Sequence, residues 1–440
     1  MVLISALPFV GLLLSIAVMP LVAQHAWERW FGSITLGWIL LFVIPFAARA
    51  GPRASAATVL GTLVHDYLPF ILLLFALFVV AGGIRLVGNL VGTPLTNLAL
   101  LALGTMSASL LGTTGASMLL LRPLIAANED RRRNTHVFVF FIFLVGNIGG
   151  ALTPLGDPPL FLGFLRGVDF SWTTRALAAP MGVAAGLLLA LFLAVDLFVW
   201  RRDSADWPVS RMPRQLRIEG AHNLVLLLGV MGIVLASGTW RSGIIIPIGL
   251  GVEAKAENLA RDVGLLAIAL VSYLSTARRI RIENAFTWTP IREVAILFAG
   301  IFVTMIPVLH ELERGAQGAF RPLIELVTRP DGSPVDAAYF WLTGSLSSVL
   351  DNAPTYLVFF DLAGGDAERL MGPLGRTLLA ISAGAVFMGA NTYLGNAPNF
   401  MIKAICEERG IRMPGFFGYL VWSGTILLPL FGLITALFFW

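Results

Sequence analysis

The sequence predicts an all-α polytopic membrane protein with two inverted repeats, each containing a re-entrant helical hairpin and a broken transmembrane helix. Three observations predict this fold: an apolar composition, uncharged stretches of membrane-spanning length, and a duplicated pair of polar motifs. Of the 440 residues, 57% are hydrophobic and 13% are charged, and the mean hydropathy is +0.83. Soluble domains carry about twice this charged fraction, so the composition argues against a water-soluble protein.

The uncharged stretches have the length that a helix needs to cross a bilayer, which is about 20 apolar residues. They are apolar on every face, whereas the strands of a membrane β-barrel alternate in polarity. Helices are therefore the expected spanning elements. We predict about ten spans plus two hairpins, with the spans at residues 3–23, 31–48, 66–85, 135–165, 176–200, 221–239, 260–277, 291–309, 376–405 and 415–438.

Two of these spans, 135–165 and 376–405, are longer than a straight crossing needs. Each contains proline and glycine near its middle, in residues 153–159 and 391–399, and these residue types interrupt helices. We therefore expect each span to consist of two half-helices joined by an unwound segment.

Two further segments, 92–127 and 337–361, consist of half-length apolar arms around a polar tip. This pattern is typical of re-entrant hairpins, which enter and leave the membrane on one side. The predicted tips are residues 112–117 and 350–355.

The polar motifs are duplicated. The sequence TPLGDPPLF at 153–161 recurs as TYLGNAPNF at 392–400, an offset of 239, and SMLL at 117–120 lies over TYLV at 355–358, an offset of 238. Two matches in register indicate an internal duplication. It divides the chain into non-repeated N-terminal spans at 1–50, a first repeat at 51–200, a connecting segment at 201–285 and a second repeat at 286–440.

The basic residues outside the spans predict the orientation. They cluster at 131–133, 201–217, 278–281 and 403–412, and the positive-inside rule places all four clusters in the cytoplasm. The predicted location is a bacterial plasma (inner) membrane. In this orientation the first hairpin enters from the cytoplasm and the second from outside, so the repeats are inverted, although Arg49 and Arg53 then fall outside.

Two acidic residues lie at the predicted mid-membrane breaks, Asp157 and Asp351. An ionisable group there costs about 2.5–3.5 kcal/mol on insertion scales. Each carboxylate could either cap the start of a half-helix or bind a cation or a proton, and the sequence leaves both interpretations open. For a sodium site we single out Asp351, Asn352 and Asp157.

Neutral groups at the same breaks could supply further oxygens to a cation or a substrate. Each hydroxyl could equally bond its own backbone, so their clustering is what suggests a site. The candidates are Thr113, Thr114, Ser117, Asn147, Thr153, Gly156, Asn352, Thr355, Asn391, Thr392 and Asn396.

Other ionisable residues have two interpretations each. His65 and Asp66 could relay protons or form an interfacial pair, and Arg122 could attract an anion or extend its guanidinium to the interface. The chain has no phosphate-binding GxxxxGK[ST] motif, so we expect neither nucleotide nor nucleic acid as a partner. The expected partners are the lipid bilayer and a small ion or anion.

The motifs GNIGGALTPLGDPP at 146–159 and SVLDNAPT at 348–355 resemble those of the NhaD-type sodium/proton antiporters and of citrate-transporter-like (CitMHS) proteins. Both groups belong to the ion transporter superfamily, with arsenite pumps and sodium/dicarboxylate symporters. The resemblance covers the chain from about residue 60. It implies inverted repeats with hairpins and broken helices, a homodimer with scaffold and transport parts, and elevator-type alternating access.

The sequence departs from the dicarboxylate symporters, which carry a Ser-Asn-Thr motif at each hairpin tip. The first tip lacks the asparagine, and Asp351 precedes the second. Two carboxylates would repel an organic acid; one such repulsion at 4 Å is worth roughly 4 kcal/mol at an effective dielectric of about 20. We therefore predict a sodium/proton antiporter rather than a carboxylate transporter. We expect no enzymatic activity, sodium or protons as coupling ions and no other cofactor.

Three alternatives stay open at this point. The first is sodium- or proton-coupled transport of citrate or a dicarboxylate, in which positive half-helix ends would face the anion. The second is efflux of arsenite or another oxyanion. The third is a channel or a scaffold without transport.

Overall fold

The computed structural model describes residues 2–203, 214–314 and 320–440, and these residues are mostly helical. The part of the chain up to residue 203 contains α1 (Val2–Val22), α2 (Gln24–Ala50), α3 (Pro52–Thr62), a π-helical turn (Leu63–Tyr67), α4 (Leu68–Ala81), β1 (Arg85–Asn89), α5 (Pro94–Leu111), α6 (Thr113–Asn128), α7 (Thr135–Leu144), a 3-10 turn (Ile148–Leu152), α8 (Pro158–Leu165) and α9 (Phe170–Asp203).

The part after the first gap continues in the same way. It contains β2 (Arg214–Glu219), α10 (His222–Thr239), β3 (Ile245–Gly249), β4 (Val252–Lys255), α11 (Ala256–Ser275), α12 (Arg278–Glu283), α13 (Thr289–Glu313), α14 (Arg321–Val327), α15 (Asp336–Ser347), α16 (Asn352–Leu362), α17 (Ala367–Met371), α18 (Gly375–Met388), a 3-10 turn (Gly389–Asn391), α19 (Ala397–Glu408) and α20 (Phe416–Phe438).

Nine helices in the described part of the chain are long and apolar enough to cross a membrane, against about ten predicted spans. The predicted span 376–405 is not one of them, because α18 ends at Met388 and α19 begins only at Ala397. In the predicted first span, the apolar helix Ser5–Pro20 is shorter than a full crossing needs. Conversely, α5 has spanning length, although we predicted it as one arm of a hairpin.

The two predicted helix breaks are present. The first break begins earlier than predicted, since α7 ends at Leu144 and α8 starts at Pro158. A proline stands in the first turn of both α8 and α19, where its missing N–H costs no intrahelical hydrogen bond. Each break thus ends at a first helical turn that contains proline.

The two predicted hairpin segments each form a pair of helices. α5 turns into α6 at Gly112, whose φ of 75° is a left-handed conformation that glycine adopts without strain. α15 turns into α16 at residues 348–351, and Asp351 is the cap residue of α16.

Two short antiparallel sheets are additions to the expected all-helical fold. β1 pairs with β2, so the segment after α4 is tied to the segment before α10. β3 pairs with β4 between α10 and α11. Neither sheet is closed, and each has two strands.

The described helices pack in two groups. α1 to α4 pack with α10, α11 and α13, while the two helix pairs pack with the broken helices, α9 and α20. The groups meet mainly where α13 packs on α16 and where α4 packs on α6. The most buried part of the second group is α7, in which every residue from 136 to 144 is buried.

Contacts join the predicted basic segments at one end of the molecule. Thr135 Oγ1 donates to the carbonyl of Arg412 at 2.9 Å, and the Arg122 guanidinium donates to the carbonyl of Glu283. Arg131 pairs with Asp196 near the end of α9. The segment 201–217 follows α9 directly, although residues 204–213 lie outside the described ranges.

Candidate functional site

Four helices begin around one point of the second group. They are α6, which starts at Thr113, α8 at Pro158, α16 at Asn352 and α19 at Ala397. The side chain of Asp157, the residue just before α8, lies at this point. Each helix start carries unpaired backbone N–H groups and the positive end of the helix dipole, so the point is electropositive apart from Asp157 itself.

Asp157 accepts hydrogen bonds from three neutral side chains. Thr113 Oγ1 donates to Oδ1 at 3.2 Å, Asn352 Nδ2 donates to Oδ2 at 2.5 Å, and Asn396 Nδ2 donates to Oδ1 at 3.3 Å. The aspartate is 1% exposed. Within the described ranges, no arginine, lysine or histidine pairs with it. The carboxylate is thus buried without a cationic partner.

The two acidic candidates differ in their local bonding. Asp157 makes no side-chain hydrogen bond to the N-terminus of α8. The Asp351 carboxylate, in contrast, accepts from the backbone N–H of Ala353 at 3.2 Å, as an N-cap does. Of the two interpretations that the sequence left open, capping is therefore seen at Asp351 alone.

Asp351 also faces a different space. It lines a small cavity of about 50 Å³ together with apolar side chains of α1 and α13, among them Leu13 and Phe298. This cavity lies where the helix pair α15–α16 meets the first helix group. A shared sodium site for Asp351 and Asp157 stays a prediction.

Three hydrogen-bonded asparagines join the two breaks next to Asp157. Asn147 Nδ2 donates to Asn399 Oδ1 at 2.7 Å, and Asn396 Nδ2 approaches Asn147 Oδ1 at 3.3 Å. Asn399 in turn donates to the carbonyls of Gly389 and Thr392, both at 2.9 Å. All three asparagines are buried. They fix the first break against the second, because Asn147 bonds Asn399 and Asn396 bonds Gly146 and Asn147 across the two breaks.

The unwound segments are held by equivalent hydrogen bonds. Thr153 Oγ1 donates to the carbonyl of Ser109 on α5, and Thr392 Oγ1 donates to the carbonyl of Ser348 at 2.5 Å. Each pair of equivalent residues is separated by the offset of 239 found in the sequence. These two threonines therefore bond backbone groups and orient the break, with no oxygen directed at Asp157.

Both breaks also require glycine for the same steric reason. A Cβ on Gly156 would lie 2.1 Å from the carbonyl oxygen of Gly150, and one on Gly395 would lie 2.6 Å from that of Gly389. Real Cβ atoms do not approach backbone this closely, so Gly156 allows the chain to fold back on itself. Gly156, which we predicted as a site residue, therefore has a structural role in the first break.

Among the described residues, three buried side-chain oxygens near the breaks have no hydrogen-bond partner. They are Asn352 Oδ1, Ser117 Oγ and Asn391 Oδ1. Asn352 uses its amide nitrogen on Asp157, so its oxygen is left beside the carboxylate. Buried oxygens are normally paired, and hard cations bind carboxylate, amide and hydroxyl oxygens. Asp157 and Asn352 therefore fit a cation, and Ser117 lies one turn further along α6 from Thr113.

The described residues contain no group of three or more histidine, cysteine or acidic side chains that could hold a metal ion. A cation at this point would therefore draw on at most two carboxylates, Asp157 and Asp351, whose charges interact, and otherwise on neutral oxygens.

The remaining predicted residues have local roles. Thr355 Oγ1 donates to the carbonyl of Asp351 at 3.1 Å, as hydroxyls in helices commonly do. Thr114 is half-buried in the first turn of α6. Asn391 donates to Ser348 Oγ at 2.9 Å.

The ionisable residues outside the breaks are also placed. Asp66 lies in the π-helical turn and pairs with Arg166 at 3.4 Å, and Arg166 lies 3.8 Å from Asp361 on α16. This pair joins the two helix groups. Arg122 bonds the carbonyl of Glu283, so its guanidinium lies at the basic end, away from Asp157.

Sequence reasoning missed Asn399 and Ser109. Asn399 stands in the first turn of α19 and could have been noticed as the second asparagine of the motif at 392–400. Ser109 had no signal in the sequence, since a serine in an apolar helix usually bonds its own backbone. Its carbonyl and its hydroxyl, which donates to Gly149 at 2.5 Å, both bind the break.

Comparison with known proteins identifies a family and two similar proteins. A family named CitMHS_2 and described as "Putative citrate transport" matches residues 1–439. The "Uncharacterized transporter Rv2684" of Mycobacterium tuberculosis is 24% identical over 359 residues, which cover 79% of this chain and 77% of that protein. The "Uncharacterized transporter Mb2703" of Mycobacterium bovis has the same identity and coverage. These matches and the apolar helices together indicate an integral membrane protein.

Proposed function

We propose, from the premise that this chain belongs to the CitMHS_2 family, that it is a secondary active transporter whose coupling cation binds at Asp157. Sodium/proton antiport is the function that the geometry supports best. In this proposal, sodium and protons occupy the same carboxylate in turn. Asn352 Oδ1 and backbone carbonyls of the breaks supply further oxygens to sodium.

The observation that carries the proposal is the buried Asp157 with three neutral donors and no cationic partner. An ionised carboxylate in this environment is costly unless a positive charge accompanies it. A sodium ion or a proton removes that cost, and exchange of one for the other leaves the charge of the site constant. A site with this property couples the two ions.

The proposal includes how the site changes sides. We propose that the two halves are inverted repeats, that α5–α6 and α15–α16 are re-entrant hairpins, and that the second helix group moves against α1 to α4, α10, α11 and α13 in an elevator-type motion. The equivalent hydrogen bonds of the two breaks support the duplication. The two main areas of contact between the groups support a movable boundary.

The orientation and assembly are proposals as well. We place the end that carries residues 131–133, 278–281 and 403–412 in the cytoplasm of a bacterium, following the positive-inside rule. A homodimer rests on the family resemblance alone.

Proteoliposomes test the function directly. The purified protein is reconstituted with a pH gradient and a fluorescent pH indicator, and sodium chloride is added without any organic acid. Sodium-driven dissipation of the gradient supports antiport, with potassium chloride as the ionic control. A pH gradient that sodium leaves unchanged, in vesicles that take up radiolabelled citrate, would overturn antiport.

A second function is cation-coupled symport of a carboxylate such as citrate. The convergence of four helix starts at Asp157 favours it, since positive helix ends bind anions, and so does the description of the family. In that case Asp157 holds the coupling cation, and the helix starts face the substrate. Citrate uptake that requires sodium, together with no sodium-driven proton movement when citrate is absent, would favour this second function.

A further inference from the structure

A large cavity lies at the basic end of the molecule, away from Asp157. Its volume is about 920 Å³, and it is bounded by the ends of α6, α9 and α19 and by β1. The deepest residue of α6 that lines it is Met118. That residue is five positions from Thr113, or about 7.5 Å along the helix axis. None of the side chains that bond Asp157 lines the cavity.

The cavity wall carries a large excess of positive charge. Its arginines are Arg85, Arg122, Arg409, Arg412 and the run 131–133, whereas its acidic residues are Glu129 and Glu283. They come from four separate parts of the chain, so the fold rather than the local sequence brings them together.

Only some of this charge is compensated. Arg85 pairs with Glu219 and Glu283, and Arg131 pairs with the buried Asp196. In the described part of the chain, neither Arg409 nor Arg412 forms an ion pair or donates a side-chain hydrogen bond. Both are exposed and line the cavity. Arg122 donates its hydrogen bond to a neutral carbonyl, and Glu408 is the acidic residue whose charge acts on it.

The other wall of the cavity is apolar. Met118 and Leu119 of α6, Val195 and Val199 of α9, and Trp422 of α20 line it. These residues are half-buried. Those of α9 and α20 belong to helices long and apolar enough to span a membrane. A small hydrated anion gains nothing from such a wall. A molecule with an anionic head and apolar chains matches both sides.

We propose that this cavity binds the phosphate head group of an anionic phospholipid, with the acyl chains against the apolar wall. Arg409 and Arg412 contact the phosphate, and Arg122 lies deeper on the same side. Basic pockets between membrane helices bind such head groups. The chemistry recognised is a phosphate ester, which a free phosphate ion shares, and the apolar wall favours the lipid as its source. The proposal does not depend on the transported substrate.

The test uses the full chain in a neutral detergent. Its thermal unfolding is followed while phosphatidylglycerol is titrated, because a ligand that binds only the folded state raises the melting temperature. The double variant R409Q/R412Q is compared with R175Q/R241Q. Arg175 and Arg241 are also exposed and have no ion pair in the described structure, but they lie at the opposite ends of α9 and α10. Both double variants remove the same charge.

We expect phosphatidylglycerol to raise the melting temperature of the wild type and of R175Q/R241Q alike. The apparent affinity of R409Q/R412Q should be roughly tenfold weaker or more, and phosphatidylcholine and inorganic phosphate should have no effect. Equal affinity in both double variants would overturn the proposal. So would stabilisation by inorganic phosphate alone, which identifies a free-ion site, or displacement of the lipid by citrate, which identifies a substrate route. If R409Q/R412Q does not fold, R412Q alone is used and should show a smaller loss in the same direction.

Discussion

The two helix breaks have the same framework and different chemistry. In both, a threonine hydroxyl bonds a serine carbonyl on the neighbouring helix pair, and a glycine allows the chain to fold back on itself. The residue that follows this glycine is Asp157 in the first break and Asn396 in the second. The difference teaches that the repeated part of the motif builds the unwound segment. The position that differs determines the charge of the site.

The first residues of α6 and α16 are of different types but have the same role towards Asp157. Thr113 and Asn352 are also separated by the offset of 239, and both donate to Asp157. The second break contributes a further donor, Asn396. One carboxylate thus collects donors from both halves. The surroundings of Asp157 are thus built by residues from both halves of the sequence, so substitutions in either half should change this site.

The largest effect is expected from removing the charge of the first break. Asp157→Asn keeps the size of the side chain but cannot balance a cation, so sodium-driven proton movement in proteoliposomes should fall about 100-fold or more. This corresponds to the ~3 kcal/mol typical of breaking a buried charge pair. The reciprocal change Asn396→Asp is the matched variant. It adds a carboxylate and removes the donor to Gly146, so it should lower the melting temperature instead.

The double variant D157N/N396D moves the carboxylate to the other break. If the two breaks were interchangeable, it would regain transport. We expect it to stay inactive, because the amide of Asn396 bonds Gly146 and Asn147 and a carboxylate cannot donate to them. Recovery of sodium-driven exchange to near the wild-type rate would show that the difference between the breaks has no functional meaning.

A smaller effect should distinguish the two glycines. A Cβ at Gly156 would lie 2.1 Å from a backbone oxygen and one at Gly395 would lie 2.6 Å away. Gly156→Ala should therefore lower the free energy of unfolding more than Gly395→Ala, both within the ~1–3 kcal/mol typical of overpacking. Thermal unfolding in detergent measures the order, with Gly182→Ala of α9 as the control that meets no neighbour. The reverse order would show that the second break is the tighter one.

The hydrogen bonds of Thr153 and Thr392 should contribute equally to the stability of the protein. Thr153→Val and Thr392→Val each leave a buried carbonyl without its donor, which costs about 1–3 kcal/mol. They also remove the acceptor for the N–H of Leu155 and of Leu394, at 3.1 and 3.0 Å. We expect similar losses of melting temperature in the two variants and little loss in Thr153→Ser or Thr392→Ser. A large loss in only one would contradict the equivalence of the breaks.

Much of this could be predicted from the sequence, for reasons that the residues make plain. Proline and glycine mark where helices stop and restart, so both breaks and the turn at Gly112 could be located. Asp157 and Asn396 could be paired because the repeated motif aligns them. The role of Asp351 could not be assigned, since capping and ion binding need the same residue type. Ser109 could not be included, because its partners Gly149 and Thr153 lie outside its own helix and depend on packing. Asn399, in contrast, stands beside Asn396 in the repeated motif.

The smallest effect on transport is expected at the second acidic candidate. Asp351 caps α16 through the N–H of Ala353, and asparagine caps a helix about as well as aspartate does. Asp351→Asn should therefore change the rate of sodium-driven exchange less than about threefold, whereas Asp351→Ala should cost ~1 kcal/mol of stability. Proteoliposome rates and melting temperatures of both variants separate the two roles. If Asp351→Asn removed exchange as completely as Asp157→Asn, the second half of the chain would also supply an essential charge. That charge would lie at the start of α16, and not in the second break. The asymmetry between the halves would then lie in how the two carboxylates share one cation.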